Sequence, residues 1–248
     1  MTAGDLGEVP GHVRWAAQAR PDGSLGPGVR AWRHGSAVAV AAPDLSRRDR
    51  LAVAGGPDDP DDAVRVVREA LARVGAGYRP FGEAALATRI AERVDGFVPG
   101  PDFLWMETAT PTGAGADAGA RWLTAREERA AAALFDAHFP GSYALPGRAG
   151  ARRWAGVFDG PDVVALAADA WSGYGCGLLA GVLTRPAARG RGLGRAVCGF
   201  LVDELVAEYG RAALMVDGDN PAAIAVYEGL GMRAHRFRAV FPTAVPAA

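Results

Sequence analysis

The segment from Arg189 to Arg195, Arg-Gly-Arg-Gly-Leu-Gly-Arg, has the residue types best suited to chemistry, since it alternates glycine and arginine between an apolar run and an amphipathic run. Glycines let a backbone turn with its amides pointing inward. The unpaired N–H groups of a helix's first turn, with the positive end of its dipole, favour an anion there. The segment therefore reads as an anion cradle suited to a nucleotide-like phosphate. Spacing excludes two phosphate loops. A dinucleotide fingerprint needs Gly-x-Gly-x-x-Gly, but counting from Gly190 puts Arg195 at the last position, and counting from Gly192 puts Val197 there. A Walker loop needs Gly-Lys, and all 27 basic residues are arginine. The other use of Gly190, Gly192 and Gly194 is an ordinary tight turn between strand and helix.

The pattern Arg-x-x-Gly-x-Gly is filled by Arg189, Gly192 and Gly194, with Pro186 shortly before it, and residues 219–232 read Asp-Asn-Pro-Ala-Ala-Ile-Ala-Val-Tyr-Glu-Gly-Leu-Gly-Met. Together, and in this order, they resemble the acetyl-CoA loop and the Asn-x-x-Ala-x-x-x-Tyr-x-x-x-Gly helix of the GCN5-related N-acetyltransferase (GNAT) family. The resemblance covers residues 120–243 and implies an α/β fold: a mixed, mostly antiparallel sheet flanked by helices. It also implies an enzyme that passes an acetyl group from acetyl-CoA, a co-substrate used without a metal, directly to a primary amine of a small molecule or peptide. By the same resemblance, the backbone of Arg189, Gly190, Arg191, Gly192, Leu193, Gly194 and Arg195 holds the pyrophosphate, and Arg191 and Arg195 add charge near it. The main chain of Val182, Leu183 and Thr184 pairs with pantetheine like an added strand. Asn220 bonds to the pantetheine arm while also standing as an N-cap ahead of Pro221. Tyr227 protonates the departing thiolate, a role that suits a phenol because its proton is in place at neutral pH. Read without the motif, Tyr227 is a helix residue capping the core with its hydroxyl wet.

No Asp or Glu lies in the run Cys176 to Thr184, so the general base stays open among Glu107, Asp169, Glu228, His138, His235 and a water chain. The alternative to an enzyme is a non-catalytic acyl-CoA-binding sensor or regulatory protein; the presence of both Asn220 and Tyr227 favours turnover. A longer acyl donor is a third option, governed by pocket volume.

The elements that must position these residues are legible from apolar spacing. Leu178 to Thr184 reads as a buried strand, and Leu193, Val197, Leu201 and Leu205 recur at helical spacing up to Gly210, a C-cap. Ala120 to Thr124 reads as a strand, and Thr124 with Glu127 as a capping box for a helix through His138. Trp154 to Phe158, Val163 to Ala168 and Ala212 to Val216 are further strands, residues 221–229 a short helix, and Met232 to Phe241 one long or two short final strands. The aperiodic run Pro111 to Ala120 is the best linker, dividing the chain into domains 1–112 and 113–248. The N-terminal α/β domain has strands at Ser36 to Ala42, Leu51 to Ala54 and Phe103 to Glu107. Its helices are Asp62 to Val74, with Asp61 or Asp62 as N-cap and Gly75 as C-cap, and Glu83 to Arg93. It is either a degenerate second GNAT half, with Ala54-Gly55-Gly56-Pro57 where the loop would be, or an unrelated α/β cap. No arginine precedes those glycines at the motif's spacing, and Asp58, Asp59, Asp61 and Asp62 would repel a pyrophosphate.

Bulk properties narrow the partners. With 248 residues, 50% hydrophobic content and net charge −1, the chain is globular, and its arginines are interleaved with 28 acidic residues rather than gathered for nucleic acid. No run approaches the roughly 18 to 20 apolar residues that span a bilayer, and the start lacks an apolar leader, so the cytoplasm is expected. Cys176 and Cys198 have neither metal nor disulfide spacing. The absence of lysine excludes Schiff-base lysine chemistry. Trp105, Trp122, Trp154 and Trp171 are either core or the lining of an aromatic acceptor pocket. The oligomeric state, monomer or homodimer, stays open.

Overall fold

A computed structural model describes residues 2–55, 60–113 and 119–243. The chain divides into two compact units, Met1–Trp105 with His235–Ala248, and Met106–Ala234.

The first unit runs α1 (Gly11–Ala17), β1 (Arg30–His34), β2 (Ala37–Ala42), β3 (Arg50–Ala54), α2 (Pro60–Val74), β4 (Arg79–Glu83), α3 (Ala84–Arg93) and β5 (Phe97–Thr108), whose last residues pass into the second unit. The first three strands form an antiparallel meander. Between β3 and β4 the chain crosses through α2, and the two strands pair in parallel, since a parallel pair cannot be closed by a tight turn. The inner face of α2, with Ala63, Val64, Val66, Val67 and Ala70, covers Ala39, Ala41, Leu51 and Val53 of the sheet. This helix begins at Pro60 rather than at the expected Asp62, because proline has no N–H to lose in a first turn. Asp62 instead accepts from the Ser36 backbone N–H at 3.4 Å. Gly56 and Pro57 of the expected degenerate loop, and Asp58 and Asp59 after it, lie outside the described residues. Strand β4 escapes sequence reading because Arg-Pro-Phe-Gly-Glu carries two residues that weaken strands. Its glycine is required, since a Cβ on Gly82 would lie 2.5 Å from the Val53 carbonyl oxygen.

The second unit runs β6 (Ala120–Trp122), α4 (Ala125–His138), β7 (Ala151–Asp159), β8 (Asp162–Ala170), β9 (Gly177–Thr184), α5 (Leu193–Tyr209), β10 (Ala212–Asp217) and α6 (Pro221–Gly229), and β11 (Arg233–Pro242) follows. Its strand order is β10-β9-β8-β7-β6, antiparallel except for the parallel pair β9 and β10. The expected mixed, mostly antiparallel sheet is therefore present, with β7 and β8 longer than read. The capping box opens α4 as expected, Thr124 accepting from the Glu127 N–H and Glu127 from the Thr124 N–H. Arg121 beside it holds the Glu127 carboxyl down at about 2. Residues 114–118 of the expected linker lie outside the described residues.

Alternation along β8 separates two environments. Leu166, Ala168 and Ala170 meet Ala131 and Phe135 of α4. Buried Asp169 points the other way, accepting from the Tyr209 hydroxyl of α5 at 3.1 Å, Arg153 Nε at 3.2 Å and the Ser172 hydroxyl at 2.5 Å.

From β7 onward the chain repeats the connectivity of β1 to β5, namely three antiparallel strands, a crossover helix, a parallel strand, a helix and a last strand, with β6 and α4 added before it. The first unit's order is β1-β2-β3-β4-β11-β5, so the last strand of the chain lies inside the first unit's sheet. Phe237, Arg238 and Ala239 pair antiparallel with Glu83, Gly82 and Phe81. Arg238 donates to Asp102 and Thr88, both at 2.7 Å. The sequence division 113–248 groups this strand with the C-terminal domain. Its apolar side chains place it in the first unit, where Val240 joins the α2 core and Phe237 stacks on Trp105.

Candidate functional site

The cradle residues lie where β9 runs into α5. After Thr184 the backbone continues its ladder with β8, Arg185 donating to the Val164 carbonyl, then makes a single 3₁₀ turn at Pro186–Ala188. Gly190 and Gly192 have φ of 76° and 77°, and Gly192 is the N-cap of α5. These left-handed conformations require glycine and turn consecutive amides toward one side. The first bond of α5 runs from Ala196 N–H to the Gly192 carbonyl. Among the described residues, no backbone carbonyl accepts from the amides of residues 190–195. Gly194 keeps the first turn close to the strand, for a Cβ there would stand 3.0 Å from Thr184 Oγ1. The loop thus presents a run of unpaired donors at a helix N-terminus, the chemistry of a phosphate site.

Its arginines are not free guanidinium groups aimed at a ligand. Arg191 pairs with Asp159 at 2.8 Å, Arg195 donates to the Gly229 carbonyl at 2.7 Å, and Arg189 Nε reaches the Thr184 carbonyl at 3.4 Å.

Beside the cradle, β9 and β10 are paired only at Gly177–Ala212 and Leu178–Ala213. Beyond Leu178 the ladder stops on that edge, so Val182, Leu183 and Thr184 carry backbone groups that β10 does not take. Toward β8, Leu183 and Thr184 stay paired, opposite Leu166 and Ala165. A β-bulge separates these pairs from Ala180–Ala168, and Gly181 within it has φ of 61°. The bulge explains why Ala180 and Leu183 both pack on the α4 face, although an odd step separates them. It also leaves no room for a side chain, since a Cβ on Gly181 would meet the Trp154 ring at 2.6 Å and Ala144 at 3.2 Å. Sequence reading missed Gly181; the signal was a lone glycine inside an apolar strand.

Asn220 caps α6, its side-chain oxygen accepting from the Ala223 N–H at 3.2 Å, with Pro221 at the first helical position. Tyr227 is the one buried residue of α6. The residue as a whole is 6% exposed, its ring set into the core. Burial raises its phenol above the ordinary value, and the neighbouring Cys198 thiol of α5 adds to the rise. The same burial pushes Cys198 up to about 12, so it is an unreactive thiol.

The five candidate bases have different surroundings. Asp169 is consumed by three hydrogen bonds, Glu107 pairs with Arg211 at 2.9 Å, and Glu228, His138 and His235 are exposed. Trp105 and Trp154 are core, Trp122 donates to Glu204 at 3.0 Å, and the Trp171 backbone N–H donates to the Gly150 carbonyl. Among the described residues no group of His, Cys, Asp or Glu is arranged to hold a metal, and no helix is long and apolar enough to cross a membrane.

Residues 154–240 match the family described as FR47-like protein. No curated protein sequence matches the chain. Among solved structures, it is similar to a GCN5-related N-acetyltransferase from Kribbella flavida, with 18% identity and TM-score 0.57 over 100% of this chain and 96% of that one. A GCN5-related N-acetyltransferase-like protein from Streptococcus suis has 14% identity and TM-score 0.52 over 96% and 95%. A Drosophila protein has 14% identity and TM-score 0.59 over 95% and 84%. At these identities the likeness is one of fold.

Proposed function

We propose, for a chain that has the GNAT fold and carries a GNAT-superfamily domain, that it transfers an acetyl group from acetyl-CoA to a primary amine of a small molecule or peptide, acting in the cytoplasm. The observation that carries this reading is the run of unpaired amides at the start of α5, placed beside the edge of β9 that β10 leaves open. Unpaired amides at a helix N-terminus suit a pyrophosphate. An unpaired strand edge suits an extended amide-bearing arm such as pantetheine, which would complete the ladder at Val182, Leu183 and Thr184. Acetyl-CoA supplies an activated thioester. The backbone of Arg189, Gly190, Arg191, Gly192, Leu193, Gly194 and Arg195 holds its phosphates, and Asn220 keeps an amide N–H₂ for the arm after capping α6.

Tyr227 gives the reading its catalytic half. As the amine nitrogen bonds to the thioester carbon and the carbon–sulfur bond breaks, the phenol gives its proton to the leaving sulfur. The tyrosinate is then reprotonated by the proton the amine releases. A buried phenol holds that proton firmly until a thiolate develops beside it. The alternative, an acyl-CoA sensor, has no use for a buried acid next to the cradle.

The test is thermal stability of the purified protein with acetyl-CoA, CoA and longer acyl-CoAs, followed by thiol release against a panel holding a polyamine, an amino acid, an aromatic amine and a peptide α-amine. A shift with acetyl-CoA and release with one amine class supports the enzyme. A shift with no release supports the sensor, and no shift in folded protein removes the cradle from both readings.

A further inference from the structure

Arg195 leaves the first turn of α5 and reaches the other end of the site. Its Nη2 donates to the carbonyl of Gly229, the last residue of α6, at 2.7 Å. The remaining carbonyls of that last turn are already satisfied locally. Those of Val226 and Tyr227 accept from the Leu230 N–H, that of Tyr227 also from Met232, and that of Glu228 from Gly231. The Gly229 carbonyl takes the guanidinium instead, and a cation at this negative helix end is favoured by the dipole as well as by the hydrogen bond. The fit is close: a Cβ on Gly229 would stand 2.4 Å from Nη1 of Arg195. Tyr227 lies two residues before Gly229 on the same turn, with its side chain buried near Cys198, one turn along α5 from Arg195.

We propose that the Arg195 side chain is a positioning group that completes the C-cap of α6 and thereby fixes Tyr227 against α5, its guanidinium taking no part in holding the phosphates. The proposal rests on the reading of Tyr227 as the acid. It links the two functional parts of the second unit through one side chain: the turn that begins with the cradle amides also anchors the helix that carries the acid.

The experiment is a double-mutant cycle on the full chain, using calorimetric titration with CoA and steady-state thiol release from acetyl-CoA with the best amine of the panel. Arg195→Met, which keeps the stem and removes the charge, and Gly229→Ala, which keeps Arg195 and blocks its seat, are both expected to lower kcat roughly tenfold. KM for acetyl-CoA and the CoA Kd should stay within about twofold. Arg195→Lys, retaining a cation, should recover part of kcat. On a Tyr227→Phe background, Arg195→Met should cost nothing further. Weakened CoA binding with kcat intact would identify Arg195 as a phosphate ligand and overturn the proposal. So would an unchanged enzyme, or a kcat loss that repeats in full on the Tyr227→Phe background. If Tyr227→Phe alone leaves turnover intact, the acid reading itself fails, and this is visible in an arm that leaves Arg195 untouched.

Discussion

Replacing Tyr227 by Phe removes one oxygen from a buried helix face and leaves the cradle intact. It should lower kcat roughly 10²-fold while the CoA Kd is unchanged, which steady-state kinetics and titration read separately. The pH dependence follows from the direction of the shift. Burial raises the phenol, so the protonated acid persists to higher pH than in a free tyrosine. Turnover should rise as the amine substrate loses its proton, with no falling limb from Tyr227 below about pH 10. A fall well below that pH would contradict the assignment. Gly192 makes a different demand. Its φ of 77° is open to alanine on space, with nothing within 4 Å of a Cβ, so Gly192→Ala isolates the backbone cost. That cost is roughly 1–2 kcal/mol, appearing as a lowered denaturation midpoint and weaker CoA binding; an unchanged midpoint would mean that the turn has another low-energy form. The cradle was legible in the sequence because glycines at left-handed positions have few substitutes. The seat of Arg195 was not, because its partner is a backbone carbonyl, and a carbonyl has no signature among side chains.

Elements built from alternation and helical spacing were the easiest to read. The α5 stripe ending at Gly210 and the Thr124–Glu127 box of α4 are both where spacing puts them. The bulge in β9 was hidden, since periodicity reports which face a residue takes only while the register is unbroken. Its consequence is measurable. Gly181→Ala adds a Cβ 2.6 Å from the Trp154 ring at a φ of 61°, and the two penalties together come to about 3 kcal/mol. Equilibrium urea unfolding should show that loss, with CoA binding weakened further because the open edge of β9 is displaced. A neutral result would mean that Trp154 has space to retreat, and that the bulge is not set by this contact.

At the scale of the whole molecule, the connectivity of β1 to β5 recurs from β7 to β11, while Gly56 and Pro57 of the loop that would compare the two runs most directly lie outside the described residues. The destination of β11 could not be read from sequence, because a strand's apolar face says that it will be covered and not by which sheet. Phe237 stacks on Trp105 and meets the His12 ring edge-on at 4.7 Å. Phe237→Ala should therefore cost about 4 kcal/mol and strip hydrogen-exchange protection from α1, β3 and β4 while α5 keeps its own. Loss confined to α5 would reverse the assignment of this strand.

The place of β11 also sets an order of events during synthesis. Chains emerge from the ribosome N-terminus first, yet β4 and β5 of the first unit must wait for residues 235–242 before the strand between them exists. Until then the nascent chain carries two open sheet edges and an unfilled aromatic core, a form prone to wrong pairing and to capture by chaperones. A messenger truncated after the codon for Ala234 would encode the cradle and Tyr227 in full, yet yield a protein whose opening half cannot close.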